Sequence, residues 1–217
     1  MSTRTSTPDR ILEAARTLFN SKGYASTSLS EIAASVGISQ GNLTYHFPSK
    51  SDLAIRLQTA AQEDAKRRRQ SKQAGPIAND YVEHLIFAMN LTWNNRFLLR
   101  DRVQFADKIS SSTSEFEADY DELYALLQRV ESEGMFRKDT IADLPTLARS
   151  IWIMSRYWID YLRDIEHKQE ISWSDQERGI HHHMALLFPC LTQAAKRRFQ
   201  QALEDAAKKT LASIASV

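Results

Sequence analysis

The chain has 217 residues and a mass of 24.8 kDa, enough for one large domain or two small ones, with 42% hydrophobic and 25% charged residues as in ordinary folded proteins. A lone cysteine (Cys190) excludes a disulfide framework and a cysteine-rich zinc site, 6 Gly and 5 Pro exclude collagen-like and disordered chains, and no apolar run is long enough to cross a membrane. The near balance of 28 basic and 27 acidic residues hides an asymmetry: residues 1–72 are net +5 and the rest net −4, which points to a basic module that meets an anion, although the run Lys66 to Arg69 reads equally well as a solvated helix face.

Thr7 and Pro8 predict a helix start, with Ile11, Ala14, Ala15, Leu18 and Phe19 as its apolar stripe and Gly23 as its stop. Ser28 and Glu31 read as a capping box for a short helix that buries Leu29, Ile32, Ala33 and Val36 and ends at Gly37. Ser39 caps a second short helix with Leu43 and Phe47 inward, and Ser49 caps a long one from about 50 to 70. Gly75-Pro76 is the clearest boundary. Beyond it the pattern predicts helices at about 77–94, 96–109, 115–133 and 144–165, with a loop at Ser110–Ser114 and a stop at Gly134. Asp175 opens another helix, interrupted at Pro189, and a last one runs from about 191 to 212. No strand pattern or internal repeat is visible, so the expected fold class is all-α.

Ala33, Gly37 and Leu43 have the spacing of a helix-turn-helix. A small residue lets two short helices cross closely, glycine supplies a positive φ in the turn, and an apolar residue locks the second helix on the first. Gln40, Gly41, Asn42, Thr44 and Tyr45 are then left outward, a polar and uncharged face suited to base edges in the major groove. A generic pair of helices with a polar surface remains the competing reading of this spacing.

Residues 10–57, RILEAARTLFNSKGYASTSLSEIAASVGISQGNLTYHFPSKSDLAIRL, resemble the DNA-binding domain of TetR/AcrR-family transcriptional regulators. The matching marks are ILEAARTLF, KGY, TSLSEIAASVGIS and GNL-x-YHF followed by SK. The resemblance implies a domain division into a helix-turn-helix domain (1–49), a connecting helix (50–74) and a helical effector-binding and dimerisation domain (75–217). It implies a homodimer on a near-palindromic double-stranded DNA operator, a repressor released by a small-molecule effector, which the aromatic residues of the body lead us to expect to be largely apolar. A regulator of the same fold answering to a protein partner, or to no effector, is the alternative. DNA contacts are implied at Ser28, Gln40, Gly41, Asn42, Thr44, Tyr45, His46 and Lys50. Lys50 also makes sense as a phosphate clamp at a helix terminus. Thr44 stands where the family usually has Tyr.

In the body, Trp93, Phe97, Phe105, Trp152, Met154, Tyr157, Trp158 and Tyr161 form an aromatic-rich stock. Trp93, Phe97, Trp152, Met154 and Tyr157 are the ligand-pocket candidates, against ordinary core as the other reading. Trp158, Leu162, Met184, Leu187, Phe188 and Leu191 give two helices more apolar surface than one stripe needs, and are expected in a two-fold dimer interface. The long helix at 50–70 is the expected lever between effector and DNA.

Other signals are discounted. Gly37-Ile-Ser39-Gln-Gly41 matches a hydrolase nucleophile motif but lies between helices, without the strand that motif needs. His181, His182 and His183 are consecutive and diverge around a helix, so no metal site is expected. No cofactor is implied, and no catalysis. Asn42-Leu-Thr44 and Asn90-Leu-Thr92 match glycosylation sites, but the N-terminus lacks a signal-peptide core, so the expected location is cytoplasmic, away from membranes.

Overall fold

A computed structural model describes residues 6–71, 74–101, 113–139 and 143–215. All regular elements among them are helical, apart from an isolated antiparallel bridge between Phe136 and Leu191. The predicted all-α class is observed. The order is α1 (Thr7–Lys22), α2 (Leu29–Val36), α3 (Gln40–His46), α4 (Lys50–Ser71), α5 (Ile77–Asn94), α6 (Arg96–Arg100), α7 (Thr113–Ser132), α8 (Leu144–Asp164), α9 (Trp173–Leu187), a 3₁₀ turn (Phe188–Cys190) and α10 (Gln193–Ala215).

Local chemistry explains the helix ends. Ser6, one residue before the expected Thr7, caps α1 by accepting from the Asp9 N–H. Gly23 does end α1 with φ +95°, though its ψ of 154° is extended and not left-handed helical. Gly37 is left-handed at φ +74°, and Gly134 stops α7 at φ +64°. α9 starts earlier than expected because Ser172, not Asp175, is its cap. Asp175 instead completes a capping box from the third helical position. α7 begins at Thr113, so Ser114 is helical. The rest of the expected loop at 110–112, the expected helix beyond Asp101, and Phe105 lie outside the described residues.

The chain divides into two compact units. The first holds, among the described residues, 6–71 and 91–101; the second holds 74–90, 113–139 and 143–215. This differs from the expected three parts. α4 is no separate connector, because Leu53, Ala54 and Leu57 are fully buried in the same core as Ile11, Ala15, Phe19, Ile32, Ala33 and Leu43. That core also contains Phe97 of α6, whose ring lies 5.1 Å from Phe19. Each leucine, isoleucine and phenylalanine among these contributes about 1.5–3 kcal/mol by leaving water.

The second unit buries one face each of α5, α7, α8, α9 and α10, with Tyr81, Leu127, Ile151, Leu187 and Phe199 fully inside. α8 and α9 approach closely at Gly179, where an added Cβ would stand 3.0 Å from Trp158 Cδ1. The Trp158 indole N–H donates to the Asp175 carbonyl at 2.9 Å, which fixes that ring.

Candidate nucleic-acid interface

The first unit's core sets the pose of α3. Leu43 is fully buried and Ala33 is 1% exposed, so α2 and α3 meet where the spacing predicted. The Ile38 N–H donates to the Ala33 carbonyl across the turn at Gly37. Ser39 Oγ accepts from the Asn42 N–H at 3.1 Å and starts α3. Its role as a cap accounts for the serine in the nucleophile-like motif.

With Leu43 inward, Gln40, Gly41, Asn42 and Tyr45 are exposed, and Thr44 and His46 are half-buried. Tyr45 is 84% exposed, the most exposed large hydrophobic side chain among the described residues, and packs edge-on to His46 at 5.2 Å. So exposed a tyrosine offers a partner both an apolar ring and a hydroxyl. The Thr44 hydroxyl donates back to the Gln40 and Gly41 carbonyls, both at 3.1 Å. Ser28 caps α2 through the Glu31 N–H at 3.2 Å, and Glu31 in turn pairs with Lys22.

Lys50 stands apart from the other contact candidates. Its Nζ donates to the carbonyls of Tyr24, Ala25 and Thr27 at 2.7, 3.2 and 2.8 Å, and sits 4.5 Å from the Tyr24 ring centroid. All three ammonium donors are engaged in holding the α1–α2 connection. Partial burial lowers the Lys50 pKa, opposed by the charge of Asp101. Ser49 and Asp52 form a reciprocal cap at the start of α4: Ser49 Oγ accepts from the Asp52 N–H at 3.2 Å and Asp52 accepts from the Ser49 N–H at 2.9 Å.

Asn20 joins α1 to the bend between α5 and α6. Its Nδ2 donates to the Asn94 carbonyl at 2.8 Å and its Oδ1 accepts from the Phe97 N–H at 3.1 Å. Arg100 donates to the carbonyls of Phe19 and Asn20 at the end of α1, and Asp101 accepts from the Tyr24 N–H at 2.9 Å. Asn94, Phe97, Arg100 and Asp101 thus brace α1 and the α1–α2 connection from outside residues 10–57. No short-range pattern announces them, since each bond spans more than 70 residues.

Helices α1 to α3 thus form a trihelical arrangement that buries Leu43 and leaves the other face of α3 in solvent. Residues 11–57 match the model of the bacterial regulatory proteins of the tetR family, and residues 60–199 match that of a bacterial transcriptional repressor domain of the same name. The chain belongs to the TetR family. It is therefore a DNA-binding transcriptional regulator and not an enzyme. Over 45 residues it is 49% identical to the biofilm operon icaADBC negative regulator IcaR of Staphylococcus aureus, strain Newman; that stretch is 21% of this chain and 24% of IcaR. The match thus spans about a quarter of that relative's length. A TetR-family regulator from Marinobacter aquaeolei has the same fold, with a TM-score of 0.72 and 23% identity over 92% of this chain and 98% of its own. A gamma-butyrolactone receptor described as ArpA-like also shares it, with a TM-score of 0.61 and 21% identity over 91% and 95%.

The structure redistributes the body candidates. Phe97 is fully buried in the first unit's core, so it is no pocket residue, and Trp93 lies in that unit too, under the Arg96 guanidinium at 4.1 Å. Trp152 and Met154 are half-buried and Tyr157 is exposed on α8. The Trp152 indole N–H donates to Asp119 at 3.0 Å. The five are therefore divided between the two units. The dimer candidates are corrected as well: Trp158, Leu162, Met184, Leu187 and Leu191 are buried within their own chain, and Phe188 is half-buried against the same core. The apolar groups left outside on these helices are others. Ile153, Tyr157 and Tyr161 recur every fourth residue on α8, followed by Ile165, with Trp173 and Leu186 on α9. That i, i+4, i+8 row was visible in the sequence.

Proposed function

We propose that this TetR-family regulator is a repressor that binds a near-palindromic operator as a homodimer and leaves it when a small, largely apolar effector binds the second unit. The exposed face of α3 carries the reading. Gln40, Asn42 and Tyr45 supply hydrogen bonds and an aromatic ring on a helix pinned by Leu43, which is the chemistry of base-edge readout. Gly41 allows close backbone approach, and Ser28, Thr44 and His46 border the face. Such a regulator works in the bacterial cytoplasm, where operators are.

Selection from random duplexes followed by binding titrations tests this. Gln40→Ala is expected to relax base preference at one position per half-site, a change of about 1–3 kcal/mol in discrimination. Tyr45→Ala is expected to weaken the selected site while leaving thermal stability unchanged or improved, because its ring is in water. Lys50→Met is expected to lower both stability and affinity, since three carbonyls lose their donor. A Lys50 variant that keeps full stability but flattens the salt dependence of binding by about one unit would return Lys50 to the role of phosphate clamp.

The row Ile153, Tyr157, Tyr161 and Ile165 supports the dimer. Ile153 and Ile165 are 53% and 64% exposed, an apolar strip that a monomer leaves wet and a two-fold copy covers. Ile153→Glu with Tyr157→Glu is expected to give monomers by sedimentation and to lose the cooperative occupation of both half-sites. A dimer that survives both charges lies elsewhere on the molecule.

The gamma-butyrolactone receptor supports the effector as the kind of ligand this fold accommodates. For release, α5 is favoured over the α4 lever. It is continuous from the second unit into the first, and Asn20 holds both sides of the bend at its end. Titrating compounds while following Trp152 fluorescence and operator affinity tests release. Failure of every binder to shift affinity would favour control by a protein partner.

A further inference from the structure

A hollow of about 330 Å³ lies in the first unit between α1 and the α5–α6 bend, lined by Arg16, Thr17 and Asn20 on one side and Asn94 and Arg96 on the other. Its size is at the lower end for small-molecule sites. We propose that it binds a small ligand through a phosphate group held by Arg16 and Arg96.

Three observations support the assignment. Arg16 Nε is buried and has no hydrogen-bond partner, an unmet donor that costs free energy until an acceptor arrives. Arg96 donates to the Trp93 carbonyl at 2.9 Å and lies against that indole, which aims its guanidinium; both burial and the neighbouring charge of Arg100 disfavour its charged form. Positive charge is thus concentrated where the one lining carboxylate among the described residues, Glu13, reaches Arg16 at only 3.4 Å and is itself mostly exposed. A phosphate dianion carries more charge than Glu13 and three terminal oxygens, enough to engage two planar guanidinium forks and the Thr17 hydroxyl together. Because Asn20 and Asn94 line the same hollow, an occupant bridges α1 to the bend they already join.

Equilibrium dialysis of the full-length protein against inorganic phosphate, at constant ionic strength in chloride, reads this out. One saturable site per chain is expected. Arg16→Gln and Arg96→Gln are each expected to weaken it about tenfold or more, Arg16→Lys to fall between, and Lys66→Gln in the exposed basic run to leave it unchanged. Circular dichroism confirms that each variant is folded. A parallel arm with glycerol 3-phosphate separates the sources: tighter binding of the ester assigns a phosphorylated metabolite, and equal binding assigns free phosphate. Uptake that persists in the folded Arg16→Gln and Arg96→Gln proteins, or no saturable uptake of either probe, overturns the proposal.

Discussion

Phe97→Ala is expected to destabilise the DNA-binding unit by about 3–5 kcal/mol and to abolish operator binding, although Phe97 lies 40 residues beyond the end of the matched helix-turn-helix stretch. The side chain is fully buried against Phe19, which packs on Tyr24 at 5.3 Å, and the Tyr24 ring in turn lies under the Lys50 ammonium. Removing Phe97 opens a cavity there. Small domains have about 5–15 kcal/mol of total stability, so a loss of this size removes a large part of the margin that keeps α3 posed. Urea denaturation followed by helicity, with operator binding by fluorescence anisotropy, checks it. A variant of unchanged stability with an altered response to effectors would place Phe97 in a pocket after all.

The second large effect is on acid stability. Burial, reinforced by nearby His84, pulls the His183 pKa down to about 3. The ring bridges Tyr81 Oη at 2.8 Å and Ser155 Oγ at 3.0 Å, and burial pushes the Tyr81 phenol well above its usual range, so that hydroxyl keeps its proton. Neutral imidazole satisfies both neighbours, whereas imidazolium would be a buried charge. The unfolded chain takes up the proton near pH 6.5 and the folded chain only near 3. Between those values the unfolded state binds more protons, so stability falls as pH drops below 6.5. The loss at pH 5 is about 2 kcal/mol relative to neutrality. Denaturation at pH 7 and pH 5 should show this slope in the wild type and its flattening in His183→Gln. An equal slope in both proteins would assign the acid sensitivity to other groups.

The helix-turn-helix was readable because its determinants are local. Ser39, Gly37, Ala33 and Leu43 act within a dozen residues, and each does what its spacing implies. Helix limits erred by a residue or two where several cap formers compete, as at Ser6 against Thr7 and Ser172 against Asp175. The body was harder for a different reason. Periodicity shows which face of a helix is apolar, not which neighbour covers it. Trp158 reads as surplus surface in the sequence, but α9 lies on it at Gly179; Leu162 is fully buried as well. Phe97 looked like a pocket residue because Gly75-Pro76 marked a boundary, and nothing local reveals that the chain returns across it. Lys50 was legible as important; its three carbonyl partners, 23 to 26 residues upstream, were not.

That return of residues 91–101 to the first unit bears on modularity. A reading head that ended at Gly75 would be a cassette, portable between regulators by a single splice. Here the splice would discard the amide that Asn20 holds, the guanidinium that closes the end of α1, and the ring that fills the core. A working transplant must carry two pieces of chain and keep the segment between them. The same discontinuity sets an order during synthesis: α1 to α4 leave the ribosome before Phe97 and Arg100 exist, so the core that poses α3 is completed only after α5 has been made.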